Sequence, residues 1–299
     1  MKFSFPQYLL SKQSVDDRAL NRTVLEALRT SLPRMHLNVT DVGAGIGSML
    51  ARLLRWQLLP ASADYTLVDE MPENIAFARR WLAEWAVQNN CPIEKRRGGD
   101  LHLTAPAGLV QAHFVQADVF DYGLSAPPPA DLLIAHAFLD LLPLPGSLPR
   151  LFALVKPGGL AWLTINFDGL TAFEPPIDPA LDARIEQLFH QSMDERITNG
   201  IRSGDSRTGR HLFGYIEEAG ATILSAGASD WLVYPQQGRY PADEAAFLRF
   251  ILHFFETSLI GCPDLDPAQF AGWLAQRRSQ VDEAKLIYIA HQLDFLVRV

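Results

Sequence analysis

Residues 41–47 have the sequence DVGAGIG, and this stretch decides the fold. The apolar run 37–42 predicts a strand that leads into it, and the helical pattern 49–59 predicts a helix that follows it. Glycines at such a turn let a ligand approach the backbone, and the helix N-terminus favours anionic or hydrogen-bonding groups. A dinucleotide-binding fingerprint has the form G-x-G-x-x-G. Starting from Gly43, its third glycine would fall at position 48, where this chain has serine. A tight connection that binds no ligand is the alternative interpretation.

Further short apolar runs alternate with helical patterns along the chain. Short buried strands in this arrangement predict a parallel sheet with helices on both faces, and residues 91–110 predict an insertion or a hairpin. The pattern predicts seven strands, at residues 37–42, 65–68, 114–117, 131–135, 160–165, 221–226 and 285–290. The main helices are predicted at residues 72–88, 148–155, 209–219, 242–259 and 267–279.

The domain organisation follows from where this pattern begins and where it is interrupted. Residues 1–36 form an N-terminal helical segment, with one helix expected at residues 15–32. Residues 37–299 form one Rossmann-like domain. About residues 168–207 break the pattern with adjacent prolines, an amphipathic stretch and an arginine-containing loop. A long excursion in a compact fold is usually functional, so we expect an inserted lid or cap over the substrate.

The glycine stretch and three later motifs together resemble class I S-adenosylmethionine-dependent methyltransferases. The later motifs are Asp69-Glu70 after the second strand, ADVF at residues 117–120 and LVKPGG at residues 154–159. The resemblance covers about residues 37–166, and residues 209–299 more loosely. It implies an α/β fold with a doubly wound, mostly parallel seven-stranded sheet, whose last strand is antiparallel. It also implies S-adenosyl-L-methionine as the cofactor and methyl transfer as the reaction.

The resemblance assigns cofactor contacts residue by residue. The three glycines would pack against the methionine part and the ribose, and Asp69 would accept hydrogen bonds from both ribose hydroxyls. Asp118 would contact the adenine amino group, while Met71 either covers the ring or is a core residue at the start of a helix. The full set of assigned residues is Asp41, Gly43, Ala44, Gly45, Gly47, Asp69, Glu70, Met71, Asp118, Val119, Phe120 and His136.

The residues after the fourth strand favour a small-molecule acceptor. Family members that methylate nucleic-acid bases carry Asn/Asp-Pro-Pro-Tyr there, whereas this chain has HAFLD at residues 136–140. We therefore expect methyl transfer to an oxygen or nitrogen nucleophile of a small molecule. Aminopropyl transfer on the same fold and a non-catalytic cofactor-binding module are the alternatives, and Ser48 disfavours a nicotinamide enzyme.

Catalytic candidates are polar residues at the carboxyl ends of predicted strands, where open α/β sheets bind ligands. His136 has the side chain best suited to act as a base near neutrality, or it orients the acceptor, or it only caps a turn. The catalytic candidates are His136, Asp140, Asn166 and Asp168. The candidates for substrate binding are Phe138, Asn166, Arg207, Arg210 and His211, although a solvated charged loop also explains the last three.

Composition excludes several other classes of protein. The chain has 299 residues, is 48% hydrophobic and carries a formal charge of −8, so it can bury a large core and would repel nucleic-acid phosphates. Its two cysteines, Cys91 and Cys262, cannot form a disulfide framework, which favours a cytoplasmic location.

Three expectations concern binding partners. Residues 132–144 form the most apolar stretch, which is too short and too polar to span a membrane, and no signal peptide is expected. The histidines lack metal-ligand spacing, so no metal is expected. An aromatic stripe at Phe247, Phe250 and Phe254 is interpreted as core, as a wall of the substrate pocket or as the face of a possible homodimer.

Overall fold

Five parallel strands form the centre of the molecule. The structure is a computed structural model that describes residues 3–96, 98–198 and 200–299. The strands of its main sheet are β1 (His36–Val42), β2 (Ser62–Asp69), β3 (Ile93–Lys95), β4 (Leu101–Ala105), β5 (Gly108–Gln116), β6 (Ala130–His136), β7 (Val155–Glu174), β10 (Thr222–Ala228), β11 (Trp231–Val233) and β12 (Ile287–Arg298). A separate hairpin consists of β8 (Ile197–Thr198) and β9 (Ile201–Arg202).

The strand order confirms the predicted fold class. The order across the sheet is β10-β12-β7-β6-β1-β2-β5-β4-β3, with β11 pairing to β12. The five neighbouring strands β7, β6, β1, β2 and β5 are parallel to one another, and β12 is antiparallel to both β7 and β10. This is a doubly wound, mostly parallel α/β sheet. The described chain contributes ten strands to it rather than seven, because residues 91–110 add the hairpin β3–β4 and β11 extends the β12 edge.

Helices cover both faces of this sheet. They are α1 (Phe5–Ser11), α2 (Gln13–Ala19), α3 (Arg22–Ser31), α4 (Ser48–Arg55), α5 (Pro72–Gln88), α6 (Val119–Leu124), α7 (Ser147–Phe152), α8 (Pro179–Asp194), α9 (Thr208–Glu218), α10 (Glu244–Leu259) and α11 (Pro267–Asp282). Along β6, Leu132 and Ile134 belong to one apolar cluster, while Leu133 and Ala135 belong to the other. Successive side chains on a strand point to opposite faces, so both faces of the central sheet are buried. Within the described ranges, no helix is long and apolar enough to cross a membrane.

The N-terminal segment contains three helices instead of the single helix predicted at residues 15–32. The chain becomes extended at Leu20, which ends α2. The side chain of Asn21 then accepts hydrogen bonds from the backbone N–H groups of Thr23 and Val24, as an N-cap does. The apolar spacing continues across this break, which is why the pattern alone predicted one helix.

The excursion from the sheet begins later than predicted. Strand β7 continues to Glu174, which lies opposite Ile287 of β12. Residues 168–174 therefore belong to the sheet. The chain leaves the sheet at residue 175 and forms α8 and the hairpin β8–β9. Helix α8 is attached to α11 because Asp182 accepts hydrogen bonds from Arg277 and Trp273, each at 2.6 Å.

A buried carboxylate joins the N-terminal helices to the sheet. Asp16 on α2 is fully buried, and its Oδ2 lies 2.9 Å from Lys12 Nζ, 3.0 Å from His136 Nε2 and 3.3 Å from Arg52 Nη2. Its Oδ1 accepts a hydrogen bond from Trp231 Nε1 at 2.9 Å. Burial alone would raise the pKa of Asp16, but the surrounding donors hold that pKa well below its usual range. The charged carboxylate therefore links α2 to α4, β6 and β11.

We expect Asp16→Asn to destabilise the fold by about 3–5 kcal/mol, because Lys12 would lose its counter-charge in a buried site. Urea unfolding of the purified variant measures this change. The control is Glu26→Gln, which removes an exposed ion pair with Arg29 on α3 and should change stability by less than about 0.5 kcal/mol. A loss below about 1 kcal/mol for Asp16→Asn would contradict the linking role of this carboxylate.

Candidate functional site

A cavity of about 710 Å³ lies at the carboxyl ends of the central strands. Its walls come from the glycine turn, the segments that follow β2, β5 and β6, strands β7 and β12, helix α1 with the Lys12 that follows it, and α8 with its hairpin. This is the edge at which open α/β sheets bind ligands, and the volume is typical of small-molecule sites. One cavity therefore extends from the glycine turn to the region enclosed by α8.

The glycine turn contributes a side-chain-free surface to this cavity. Gly43, Ala44 and Gly45 line it, and both glycines have positive φ values, 62° and 56°. A Cβ at Gly43 would lie 2.3 Å from the ring of Phe138, and one at Gly45 would lie 2.7 Å from Leu9 Cδ1. The turn therefore requires glycine at both positions, for its backbone conformation and for the space above it.

Gly47 has a different place from the other two glycines. It is the left-handed N-cap of α4, and a Cβ there would meet the side chains of Leu67 and Leu82. It does not belong to the cavity lining. Gly47 allows α4 to pack closely on the sheet, and its expected contact with the cofactor is not supported by the geometry.

Asp69 holds the glycine turn from the end of β2. Its Oδ2 accepts from Gly45 N at 2.8 Å, and its Oδ1 accepts from Met71 N at 2.9 Å and from Asn74 Nδ2 at 3.0 Å. The carboxylate is buried and lines the cavity, and burial raises its pKa despite these hydrogen bonds. The Oδ1 atom of Asn74 is buried without a partner among the described residues.

Asp41 provides a second carboxylate beneath the turn. It is 1% exposed and lines the cavity, and its Oδ2 accepts a hydrogen bond from the Tyr65 hydroxyl at 2.7 Å. Its Oδ1 finds no partner in the described part of the chain. Burial raises the pKa of Asp41 to about 7. An unpartnered buried oxygen of this kind would be satisfied by a hydrogen-bond donor from a ligand.

The segment after β5 forms another wall of the same cavity. Asp118 caps α6 by accepting from Phe120 N at 2.7 Å, and it lines the cavity together with Val119. The guanidinium carbon of Arg150 lies 3.8 Å from the centre of the Phe120 ring. The segment after β2 contributes Glu70 and Met71. Carboxylate and apolar side chains thus both contribute to this part of the lining.

His136 lies at the end of β6 with both ring nitrogens engaged. Nε2 donates to the Asp16 carboxylate at 3.0 Å, so Nδ1 accepts from the hydroxyl of Thr164 at 2.8 Å. Burial lowers the pKa of His136 to about 4. The imidazole is therefore neutral near pH 7 and has no free nitrogen with which to take a proton from an acceptor.

Asp140 lies in a short 3₁₀ turn, Leu139–Leu141, that follows β6 and lines the cavity. Its Oδ1 is buried and has no hydrogen-bond partner among the described residues. Burial raises the pKa of this carboxyl, while the positive charges of Arg196 and Lys12 oppose the change. Asp140 is therefore a predicted catalytic candidate that lines the cavity and has an unpartnered side-chain oxygen. The neighbouring Phe138, a predicted substrate-binding residue, lines the cavity as well.

Asn166 and Asp168 point away from the cavity, contrary to expectation. Between residues 163 and 166, strand β7 contains one more residue than the paired strand β12, and Ile165 has a left-handed φ of 57°. Such a bulge reverses which face the following residues occupy. Ile165 and Phe167 therefore line the cavity, while Asn166 and Asp168 face α9.

The charged residues near the start of α9 also lie outside the cavity. Arg210 Nε donates to Asp168 at 2.8 Å on the far side of the sheet, and His211 pairs with Asp205. Among the described residues that line the cavity, none of the three predicted substrate-binding residues of this region appears, namely Arg207, Arg210 and His211.

Sequence reasoning missed the contribution of the N-terminal helices. Tyr8, Leu9 and Lys12 line the cavity, and Asp16 lies directly behind Lys12. A Lys and an Asp four residues apart on an otherwise apolar face were the available signal, because such residues are almost never fully buried unless they are paired. Among the described residues, no group of three His, Cys, Asp or Glu side chains is placed to hold a metal ion.

Comparisons with known proteins give similarity at the level of overall architecture. No family model matches the chain. No curated protein sequence matches it either. Solved structures that resemble it include YjhP from E. coli, at 16% identity, 97% coverage of this chain, 98% of that chain and a TM-score of 0.48. The cyclopropane synthase MmaA2 from Mycobacterium tuberculosis is 11% identical, with 93% of this chain and 83% of that chain covered and a TM-score of 0.46. A SAM-dependent methyltransferase from Thiobacillus denitrificans, in complex with S-adenosyl-L-homocysteine, is 12% identical, with 99% of each chain covered and a TM-score of 0.46.

We expect the His136 ring to remain neutral, with its proton on Nε2, from about pH 8 down to about pH 5.5. Charging the ring would place a cation in a buried site beside Lys12 and Arg52, which disfavours protonation. Nitrogen-15 NMR of the imidazole measures both the tautomer and the titration, with the signal assigned by its loss in His136→Gln. A protonation midpoint near the ordinary value of about 6.5 would show that this environment is wrongly described.

Proposed function

We propose that this chain transfers the methyl group of S-adenosyl-L-methionine to a small-molecule acceptor. The observation that carries the proposal is one cavity whose lining includes the glycine turn, Asp69 and Asp140, with Asp140 Oδ1 unpartnered among the described residues. A ligand at the turn and a second ligand beside Asp140 would share one space.

The residues present suit this cofactor. Gly43 and Gly45 contribute backbone and no side chain to the cavity wall, next to Phe138 and Leu9. The unpartnered oxygens of Asp41 and Asn74 match a ligand rich in N–H and O–H donors, and S-adenosyl-L-methionine carries an ammonium, two ribose hydroxyls and an adenine amino group. When bound, its sulfonium supplies an already activated methyl group.

A second set of residues would hold the nucleoside part. Asp69 would accept from the ribose hydroxyls with the lone pairs that its present hydrogen bonds leave free. Asp118 would accept from the adenine amino group, with Val119, Phe120 and Met71 against the ring. These assignments follow the sequence resemblance, and they are supported by the position of all five residues in the cavity lining.

The protein's own task would then be to position the acceptor, to exclude water and to take up a proton. Asp140 is the proposed proton acceptor, because its Oδ1 is unpartnered and its pKa is raised by burial. His136 is proposed as a positioning residue that acts through Asp16. Asn166 and Asp168 have no part in this proposal, since they lie on the other face of the sheet.

We further propose that α8 and the hairpin β8–β9 form a lid over the acceptor. Phe189, Met193, Arg196, Thr198 and Ile201 of this segment line the cavity. Enclosure of the reacting groups strengthens electrostatic interactions and prevents hydrolysis of reactive species. The alternative of aminopropyl transfer is disfavoured by Lys12 and Arg196, because a polyamine is itself cationic. The cytoplasmic location and the possible homodimer stay predictions.

We expect Asp69→Asn to weaken binding of S-adenosyl-L-methionine by about tenfold or more, since an amide NH₂ would replace one acceptor oxygen among several donors. Isothermal calorimetry with S-adenosyl-L-methionine, S-adenosyl-L-homocysteine and NADH measures the effect and tests the cofactor class. The matched control is Asp64→Asn, which lies on the same strand, outside the cavity lining, and should bind as the wild type does.

Two results would overturn this proposal. One is wild-type protein that binds neither sulfur compound, or that prefers NADH. The other is equal binding by Asp69→Asn and the wild type, provided that both variants show the thermal unfolding of a folded protein.

A further inference from the structure

The ammonium of Lys12 is the first unusual feature of the acceptor end of the cavity. Lys12 lies at the junction of α1 and α2, is only 4% exposed and lines the cavity. Its Nζ is 2.9 Å from Asp16 Oδ2, and this carboxylate is its one ion-pair partner among the described residues. The ammonium also lies 5.4 Å from the centre of the Trp231 ring. A buried cation with three N–H donors therefore has capacity for a ligand.

The carboxyl of Asp140 is the second feature, and it is complementary to the first. Its Oδ1 is an unpartnered acceptor, and Arg196 donates to the backbone carbonyl of Asp140 rather than to its carboxyl group. Lys12 and Asp140 influence each other's ionisation, but they form no ion pair with one another. The cavity lining thus includes a paired ammonium with N–H donors to spare and an unpartnered carboxyl oxygen, and these two groups form no ion pair with each other.

Different ligand groups would satisfy these two atoms to different degrees. A protonated amine suits Asp140 but is repelled by Lys12, with Arg52 and Arg196 adding positive charge nearby. A carboxylate suits Lys12 but is repelled by Asp140 and by Asp16. A hydroxyl both donates and accepts a hydrogen bond, so it satisfies both atoms without adding charge to a buried site.

The rest of the acceptor region is aromatic and apolar. Phe167 and Tyr288 line it from the sheet, Phe189 from α8 and Trp231 from β11. Aromatic side chains offer large flat surfaces and favour ring-to-ring contacts with a ligand. Tyr8 adds a hydroxyl-bearing ring from α1.

We propose that the methyl acceptor is a hydroxyl group on a flat, apolar, aromatic molecule, with the hydroxyl oxygen accepting from Lys12 Nζ and the hydroxyl proton directed at Asp140 Oδ1. This inference rests on the proposed function and resolves its choice between oxygen and nitrogen nucleophiles. In the reaction, the acceptor oxygen forms a bond to the methyl carbon as the carbon–sulfur bond breaks. The sulfur keeps that electron pair and becomes a neutral thioether, and Asp140 takes the proton. Lys12 stabilises the negative charge that develops on the oxygen.

Binding of matched probes to the full-length protein tests this assignment without turnover. The probes are 2-naphthol, 2-methoxynaphthalene, 2-naphthoate and 2-naphthylmethylammonium, with 4-phenylphenol as a second hydroxyl compound of different shape. Calorimetry or quenching of tryptophan fluorescence gives each affinity. We expect one of the two hydroxyl compounds to bind about 10-fold to 100-fold more tightly than the ether, the carboxylate and the ammonium probe, as a hydrogen bond to a charged group predicts.

Substitution of Lys12 links this selectivity to the structure. Lys12→Met keeps the length of the side chain and should reduce affinity for the preferred hydroxyl compound by about tenfold, while affinity for 2-methoxynaphthalene stays within about twofold. The matched control is Lys285→Met, an exposed lysine that pairs with Glu283, which should leave both affinities unchanged. Circular dichroism establishes that each variant is folded.

Three outcomes would overturn the inference. They are binding of the ammonium or carboxylate probe as tightly as the hydroxyl compounds, no binding of either hydroxyl compound, and an unchanged preference in folded Lys12→Met. Failure of the proposed function is a separate result, because it would appear as absent binding of S-adenosyl-L-methionine, whereas the probe affinities are measured without that cofactor.

Discussion

The buried carboxylate of Asp16 is the contact on which the site depends. It compensates the charge of Lys12, shares Arg52 with Asp17 and fixes the tautomer of His136. Removing charges from water is costly, and the ion contacts offset that cost only where the partners are closely placed. The N-terminal helices are consequently held against the sheet by polar contacts as well as by apolar packing. A cation at the junction of two short helices can therefore form part of the cavity wall.

The core of the fold was predictable because its signals are local. Short buried strands, a glycine turn and an acidic residue at the end of the second strand each occupy a few adjacent residues, and each was found on the expected element. The order of the parallel strands followed once the alternation of strands and helices was recognised. The places of Asp41, Asp69 and Asp118 in the cavity lining depend on these same local features.

The rest of the site depends on information that no local pattern carries. Whether Asn166 faces the cavity is decided by one additional residue near Ile165, which a run of apolar residues does not reveal. The place of Lys12 depends on how residues 5–19 fold back over the sheet, across a sequence separation of 120 residues between Asp16 and His136. The base role expected for His136 was argued from its position and its side-chain type, and the hydrogen bonds that occupy both nitrogens come from distant segments.

The bulge in β7 also decides which side chains a similar strand would present to the cavity. Asp294 accepts from Ile165 N and from Asn21 N, each at 2.8 Å, so the bulge is attached to the start of α3. A relative that lacks the additional residue would present the opposite set of side chains from this strand to the same cavity. An alignment must therefore place its gap at residues 164–165. A gap placed several residues later would equate Phe167 and Thr171 with residues that lie on the other side of the sheet.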